Sequence, residues 1–184
     1  MLVRPIEFGH GLLAEIINQG DIVIDATMGN GHDTVFLAGL TKNVFAFDVQ
    51  EDAIKNTQEK LTQAGLQANL IKNGHEDIDK YISGEVKAAI FNLGYLPGSD
   101  KSVITLPQTT IIALEKISQM LVMGGRIIVI VYSGHAGGEA ERNAVVKWAS
   151  ELEQTKWRVM QYASLNRKGS PPFLIAVERL DIRG

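Results

Sequence analysis

A chain of 184 residues, 45% of them hydrophobic, can bury a substantial core and is read as one domain over residues 1–184. It contains no cysteine, which excludes disulfides and thiolate nucleophiles, and no metal site is predicted. A net charge of −3 gives no overall attraction to nucleic acid, so any such contact must come from a local basic patch.

In chain order, helical spacing of apolar residues near 9–19 is followed by a short β-branched run at 21–26. A helix is predicted at 33–41, a strand at 43–48 and a helix at 50–64, where Ile54, Leu61 and Ala64 mark one face. Next come a strand at 68–72, a helix at 76–83, a strand at 87–93, a helix at 108–122 and a strand at 126–132. The last helix is placed at 138–154, and strands at 157–164 and 173–178 close the chain. Alternation of this kind predicts an α/β fold with a mostly parallel sheet covered by helices on both faces. Only a loop separates the last two strands, so they are expected to pair as an antiparallel hairpin at one edge. No run reaches the roughly 20 apolar residues of a membrane span. Met1-Leu2-Val3-Arg4-Pro5 lacks the apolar centre of a secretory leader, so a cytoplasmic location without membrane contact is expected.

The densest signal is Asp25-Ala26-Thr27-Met28-Gly29-Asn30-Gly31-His32-Asp33, where a strand meets a glycine turn and then a helix. Gly29 and Gly31 allow a sharp turn and close approach of backbone to a ligand. A helix beginning near Asp33 aims unpaired N–H groups at that ligand. A dinucleotide fingerprint requires a third glycine where Thr34 stands, and no Gly-Lys-Ser/Thr follows to make a phosphate loop. Acidic residues at Asp25 and Asp33 suit a ligand carrying an ammonium group. Asp48 ends the next apolar run, where a carboxylate accepts hydrogen bonds from ribose hydroxyls. S-adenosylmethionine, with a ribose, a cationic amine and a sulfonium, fits this pattern better than a pyrophosphate does.

Further motifs stand at the other strand ends: Gly74-His75-Glu76, Asn92-Leu93-Gly94-Tyr95-Leu96-Pro97-Gly98, Tyr132-Ser133-Gly134-His135-Ala136-Gly137-Gly138 and Pro171-Pro172-Phe173. Together with Asp25 to Asp33 and Phe47-Asp48, they resemble a small bacterial rRNA-methylase family. Its members include the methyltransferase acting on 5-aminomethyl-2-thiouridine at the tRNA wobble position. The resemblance implies a Rossmann-like class I methyltransferase fold, a seven-stranded mostly parallel sheet with a C-terminal antiparallel hairpin. It also implies S-adenosyl-L-methionine as cofactor, a tRNA anticodon loop as partner and a homodimer. Methylation of rRNA or a small molecule, and a nucleotide-binding protein without methyl transfer, stay open as alternatives.

On this reading Asp25, Met28, Gly29, Asn30, Gly31, His32 and Asp33 form the cofactor loop, and Asp48 and Gln50 border the ribose and adenine. His75 and Glu76 hold the adenine, although Glu76 equally suits an exposed first helical turn, and Asn92 also borders the cofactor. Asn92 and Tyr95 match the Asn-Pro-Pro-Tyr pattern of amino methyltransferases, with Leu93 and Gly94 in place of the prolines. That looser turn suits a flexible aliphatic amine. Thr27 replaces a glycine common in the wider class, so contacts to the cofactor's carboxylate are expected to differ there. Tyr95, Pro97, Gly98, Tyr132 and His135 are expected around the substrate, with Tyr95 stacking on a base. Asn92, Tyr95 and His135 are the candidate catalytic residues, His135 reading either as a base or as a hydrogen-bonded structural group. Arg167 and Lys168 are either phosphate contacts or ordinary solvated charge.

Overall fold

The computed structural model describes residues 2–94 and 104–181. Helix α1 spans Pro5–Ala14, and strand β1 (Ile22–Asp25) leads to α2 (His32–Ala38). Strand β2 (Asn43–Asp48), α3 (Glu51–Ala64), β3 (Asn69–Lys72) and a 3₁₀ turn at His75–Lys80 follow. Then come β4 (Val86–Asn92), α4 (Pro107–Met120), β5 (Leu121–Val131), α5 (Gly138–Glu151), β6 (Trp157–Tyr162) and β7 (Phe173–Arg179).

The seven strands form one sheet in the order β3-β2-β1-β4-β5-β7-β6. The first five run parallel, while β7 lies antiparallel between β5 and the edge strand β6. The expected terminal hairpin is therefore present, with its second strand inserted inward. Chain order reverses between β1 and β4, and the crevice above such a reversal is where open α/β sheets bind ligands.

Alternate residues of each strand feed two cores. Ala89 and Phe91 face Ile78, Leu114, Ile117 and Val145 on the layer of α4, α5 and the 3₁₀ turn. Ala88 and Ile90 face Leu13, Leu37 and Leu61 on the layer of α1, α2 and α3. A fully buried parallel strand must be apolar on both faces, which is why 87–93 shows no polar alternation.

Three elements depart from the pattern reading. Helix α1 begins at Pro5, not near residue 9, because proline is preformed for the first helical position and Glu7 accepts the Arg4 N–H at 3.0 Å. It ends at Ala14, and Ile16 and Ile17 reach the core from non-helical backbone. The segment 76–83 condenses into the 3₁₀ turn. Strand β5 starts at Leu121, five residues early, because Leu121 already pairs with Val86 across an irregularity between Val86 and Ala88. Among the described residues no helix is long and apolar enough to cross a membrane.

Candidate functional site

One cavity of about 630 Å³ opens above the β1/β4 reversal. Met28, Gly29, Asn30, His32, Asp33, Asp48, Gln50, His75, Glu76, Asn92, Tyr132 and His135 all line it. Asp25 and Gly31 lie beneath the wall and support it. Arg167 and Lys168 are exposed in a loop whose Ser170 reaches the lining. Tyr95, Pro97 and Gly98 fall outside the described residues.

The glycine turn is shaped from below. Gly31 caps α2 with φ 80°, and a Cβ there would meet Thr57 Oγ1 at 2.6 Å and Thr57 Cα at 2.8 Å. No side chain fits that contact with α3. Asp25 is fully buried; its Oδ1 accepts the Thr27 N–H at 3.1 Å and its Oδ2 the Thr34 hydroxyl at 2.6 Å. Burial pushes its carboxyl up to about 7, the Asp33 charge adds to this, and those two hydrogen bonds oppose it. Asp25 thus braces the loop and leaves ligand contact to residues above it. Thr34, at the position where a dinucleotide fingerprint has glycine, is the donor to that brace. Thr27 is just as specific in what it does, since its Oγ1 accepts the Asn92 N–H at 2.6 Å and ties the turn to the end of β4.

Asp48 stands at the end of β2 with one backbone donor on each oxygen, Gly29 N at 3.0 Å and Gln50 N at 2.9 Å. A carboxylate has about four acceptor positions, so capacity remains for a ligand's hydroxyls. His75 is buried, its Nδ1–H donating to the Ala26 carbonyl at 2.8 Å and its ring edge-on to Phe91 at 5.6 Å. Burial pushes its pKa down despite that hydrogen bond, so the imidazole is neutral and Nε2 is an acceptor. That buried Nε2 has no partner among the described residues. Glu76 also lines the cavity, while its backbone carbonyl accepts from Lys116 Nζ at 2.5 Å.

At the other end, Asn92 donates its side-chain N–H to Asp33 Oδ2 at 3.2 Å. A carboxylate only accepts, so the amide nitrogen must face Asp33 and Oδ1 must turn the other way. His135 Nδ1 donates to the Ala136 carbonyl at 3.0 Å. The Tyr132 phenol is pushed up, first by burial and then by the Asp33 charge, and stays a neutral hydroxyl. Behind the cavity, buried Glu141 accepts from Thr105 at 2.6 Å and Thr110 at 2.7 Å. Thr105 Oγ1 in turn accepts the Gly94 N–H at 3.0 Å, and Thr105 N donates to the Gly94 carbonyl at 2.9 Å.

Pattern reading passed over His10, Thr105 and Glu141. Glu141 reads as a solvated acid in the first turn of α5, and only the packing of α4 against α5 buries it. Among the described lining residues Asp33, Asp48 and Glu76 are acidic, and none is lysine or arginine. Such a wall repels a pyrophosphate and attracts a cation.

The family model described as "Putative rRNA methylase" matches residues 44–178. The chain is 36% identical to the Arabidopsis thaliana chloroplastic tRNA (mnm(5)s(2)U34)-methyltransferase, over 96% of this chain and 70% of that one. Among solved structures, the putative methyltransferase SMU.1697c of Streptococcus mutans, in complex with SAH, is 48% identical with a TM-score of 0.93. The match covers 98% of this chain and 100% of that one. A putative rRNA-methylase from Clostridium thermocellum is 41% identical with a TM-score of 0.94, at 98% and 100% coverage.

Proposed function

Because the chain belongs to the Putative rRNA methylase family, we propose that it N-methylates the 5-aminomethyl group of (2-thio)uridine at the tRNA wobble position, using S-adenosyl-L-methionine. The observation that carries this reading is the pairing of a cavity whose described lining holds Asp33, Asp48 and Glu76 but no lysine or arginine with an Asn92 amide oxygen left free of Asp33. Similarity to the SAH-bound Streptococcus mutans structure supports the cofactor, and similarity to the Arabidopsis enzyme supports the substrate.

The residues fit the cofactor. A volume of about 630 Å³ lies in the range of small-molecule sites. Asp48 keeps acceptor capacity for ribose hydroxyls, and the orphaned Nε2 of His75 suits an adenine amino proton. Asp33 supplies negative potential for a cationic end. When bound, S-adenosyl-L-methionine supplies an electrophilic methyl on a sulfonium.

The chain's own work is alignment. Asn92 Oδ1 accepts an N–H of the substrate amine and directs its lone pair inward, which is where orientation lowers the barrier. The amine must arrive neutral, and we assign His135, which lines the cavity, to take the proton of its ammonium form. Tyr132, held as a phenol, rims the pocket without competing for that proton.

Mass spectrometry of tRNA nucleosides from a deletion strain tests the reading. Loss of the 5-methylaminomethyl nucleoside with accumulation of its unmethylated amine is expected, and purified protein with S-adenosyl-L-methionine should restore it. An unchanged tRNA profile, or a changed rRNA nucleoside in its place, overturns it. Sedimentation of the same preparation tests the homodimer that the family resemblance suggests.

A further inference from the structure

His10 stands outside the cavity lining, on α1, yet it touches the group that orients Asn92. Its Nε2–H donates to Asp33 Oδ1 at 2.7 Å, while Asp33 Oδ2 accepts the Asn92 amide at 3.2 Å. The His10 side chain is 24% exposed and that of Asp33 only 7%. The imidazole also stacks on Phe36, one turn beyond Asp33, with ring centroids 3.9 Å apart and planes 4° from parallel. Helix α1 is seated firmly enough to hold this ring. Gly9 lets it close on the sheet, where a Cβ would meet Ile128 Cγ2 at 2.8 Å.

We propose that His10 is a positioning residue for the transfer step, clamping Asp33 so that Asn92 presents its amide oxygen to the amine. This rests on the methyltransferase reading above. Without the His10 donor, Asp33 Oδ1 loses its fixed direction, and the carboxylate can rotate away from the Asn92 amide. The amide is then free to turn its N–H₂ toward the incoming nucleophile. An N–H₂ there repels an amine's hydrogens where the oxygen attracts them. The consequence falls on orientation, which is worth large factors in rate for small displacements.

Two variants separate this role from simple packing. His10→Phe keeps the stack on Phe36 and removes the donor; His10→Gln replaces the donor with a side-chain amide. In single-turnover methylation of tRNA from the deletion strain, His10→Phe should be slower by about tenfold or more. Its affinity for S-adenosylhomocysteine and its melting temperature should stay near wild type, and His10→Gln should recover most of the rate. A wild-type rate in His10→Phe overturns the proposal, as does a His10→Gln variant as slow as His10→Phe. The ¹⁵N–¹H side-chain pair of Asn92, assigned by its loss in Asn92→Ala, gives a readout independent of substrate. If wild-type protein leaves tRNA unmethylated, the substrate reading fails alone, and this pair still decides the clamp. It should shift in His10→Phe bound to S-adenosylhomocysteine and return in His10→Gln; an unmoved pair overturns the clamp.

Discussion

The two ends of the cavity are built from different chemistry. At the β1–β2 end, carboxylates hold the turn: Asp25 takes the Thr27 N–H and the Thr34 hydroxyl, and Asp48 takes the N–H groups of Gly29 and Gln50. At the β4–β5 end, hydroxyls and an amide do the tying, through Thr27 to Asn92, Thr105 to Gly94, and Asn92 to Asp33. The first end is a fixed array of acceptors, suited to a ligand rich in donors. The second presents the Asn92 amide oxygen, which on the proposed function holds one amine. Affinity for cofactor and speed of transfer are therefore expected to be separable by mutation.

The strongest challenge to that separation is Asn92→Ala. We expect methyl transfer to slow by about 100-fold or more, since an orienting acceptor is lost at the reacting atom. Affinity for S-adenosylhomocysteine measured by calorimetry should change little. An equal loss in both quantities would merge the two ends into one.

Asp48→Ala is the converse. Removing a charged acceptor from ribose hydroxyls and two backbone amides should weaken S-adenosylhomocysteine binding by about 1.5–3 kcal/mol. Single-turnover rate at saturating cofactor should hold nearer to wild type. Normal affinity in this variant removes Asp48 from the cofactor.

Glu141→Ala probes the support behind the transfer end. Its carboxylate is the acceptor for two hydroxyls, one of them on fully buried Thr110, so about 2 kcal/mol of stability should be lost in urea unfolding. Because Thr105 also closes on Gly94, transfer should suffer more than cofactor affinity. Unchanged stability would show that water or other groups satisfy Thr105 and Thr110 in its place.

The cofactor end is the more legible of the two in sequence, for a physical reason. Strand, glycine turn and acid lie within nine residues at 25–33, and Asp48 ends the next strand, so local pattern carries most of that geometry. Buried strands such as β4 are legible nearly to the residue, because an apolar run bounded by turns has few other uses. The transfer end depends on long-range packing. Nothing near His10 in sequence signals Asp33, 23 residues away, and Glu141 meets Thr105 across 36 residues. Thr27 and Thr34 read as departures from glycine patterns, yet their hydroxyls join β4 and Asp25 to the turn. The early start of β5 is likewise set by its partner Val86, not by its own residues.

The finest probe of the cavity floor is pH. Burial lowers the pKa of His75 in the folded protein, below the roughly 6.5 of an unfolded chain. The unfolded state then binds more protons in the window below about 6.5, and stability is lost as pH falls through it. Asp25 works in the opposite sense: raised to about 7, it holds its proton in the folded state while the unfolded carboxyl ionises near 4, so its contribution declines as pH rises between them. The two slopes partly cancel in the wild-type profile, which hides both. His75→Asn separates them, because asparagine can still donate to the Ala26 carbonyl but does not titrate, and Asp25 is common to both proteins. Urea unfolding at a series of pH values should give a wild-type minus variant difference that is constant above about pH 7. That difference should fall as pH drops toward 5; parallel curves across the range would mean that His75 is protonated as readily folded as unfolded, and that its Nε2 is not the neutral acceptor the cavity needs.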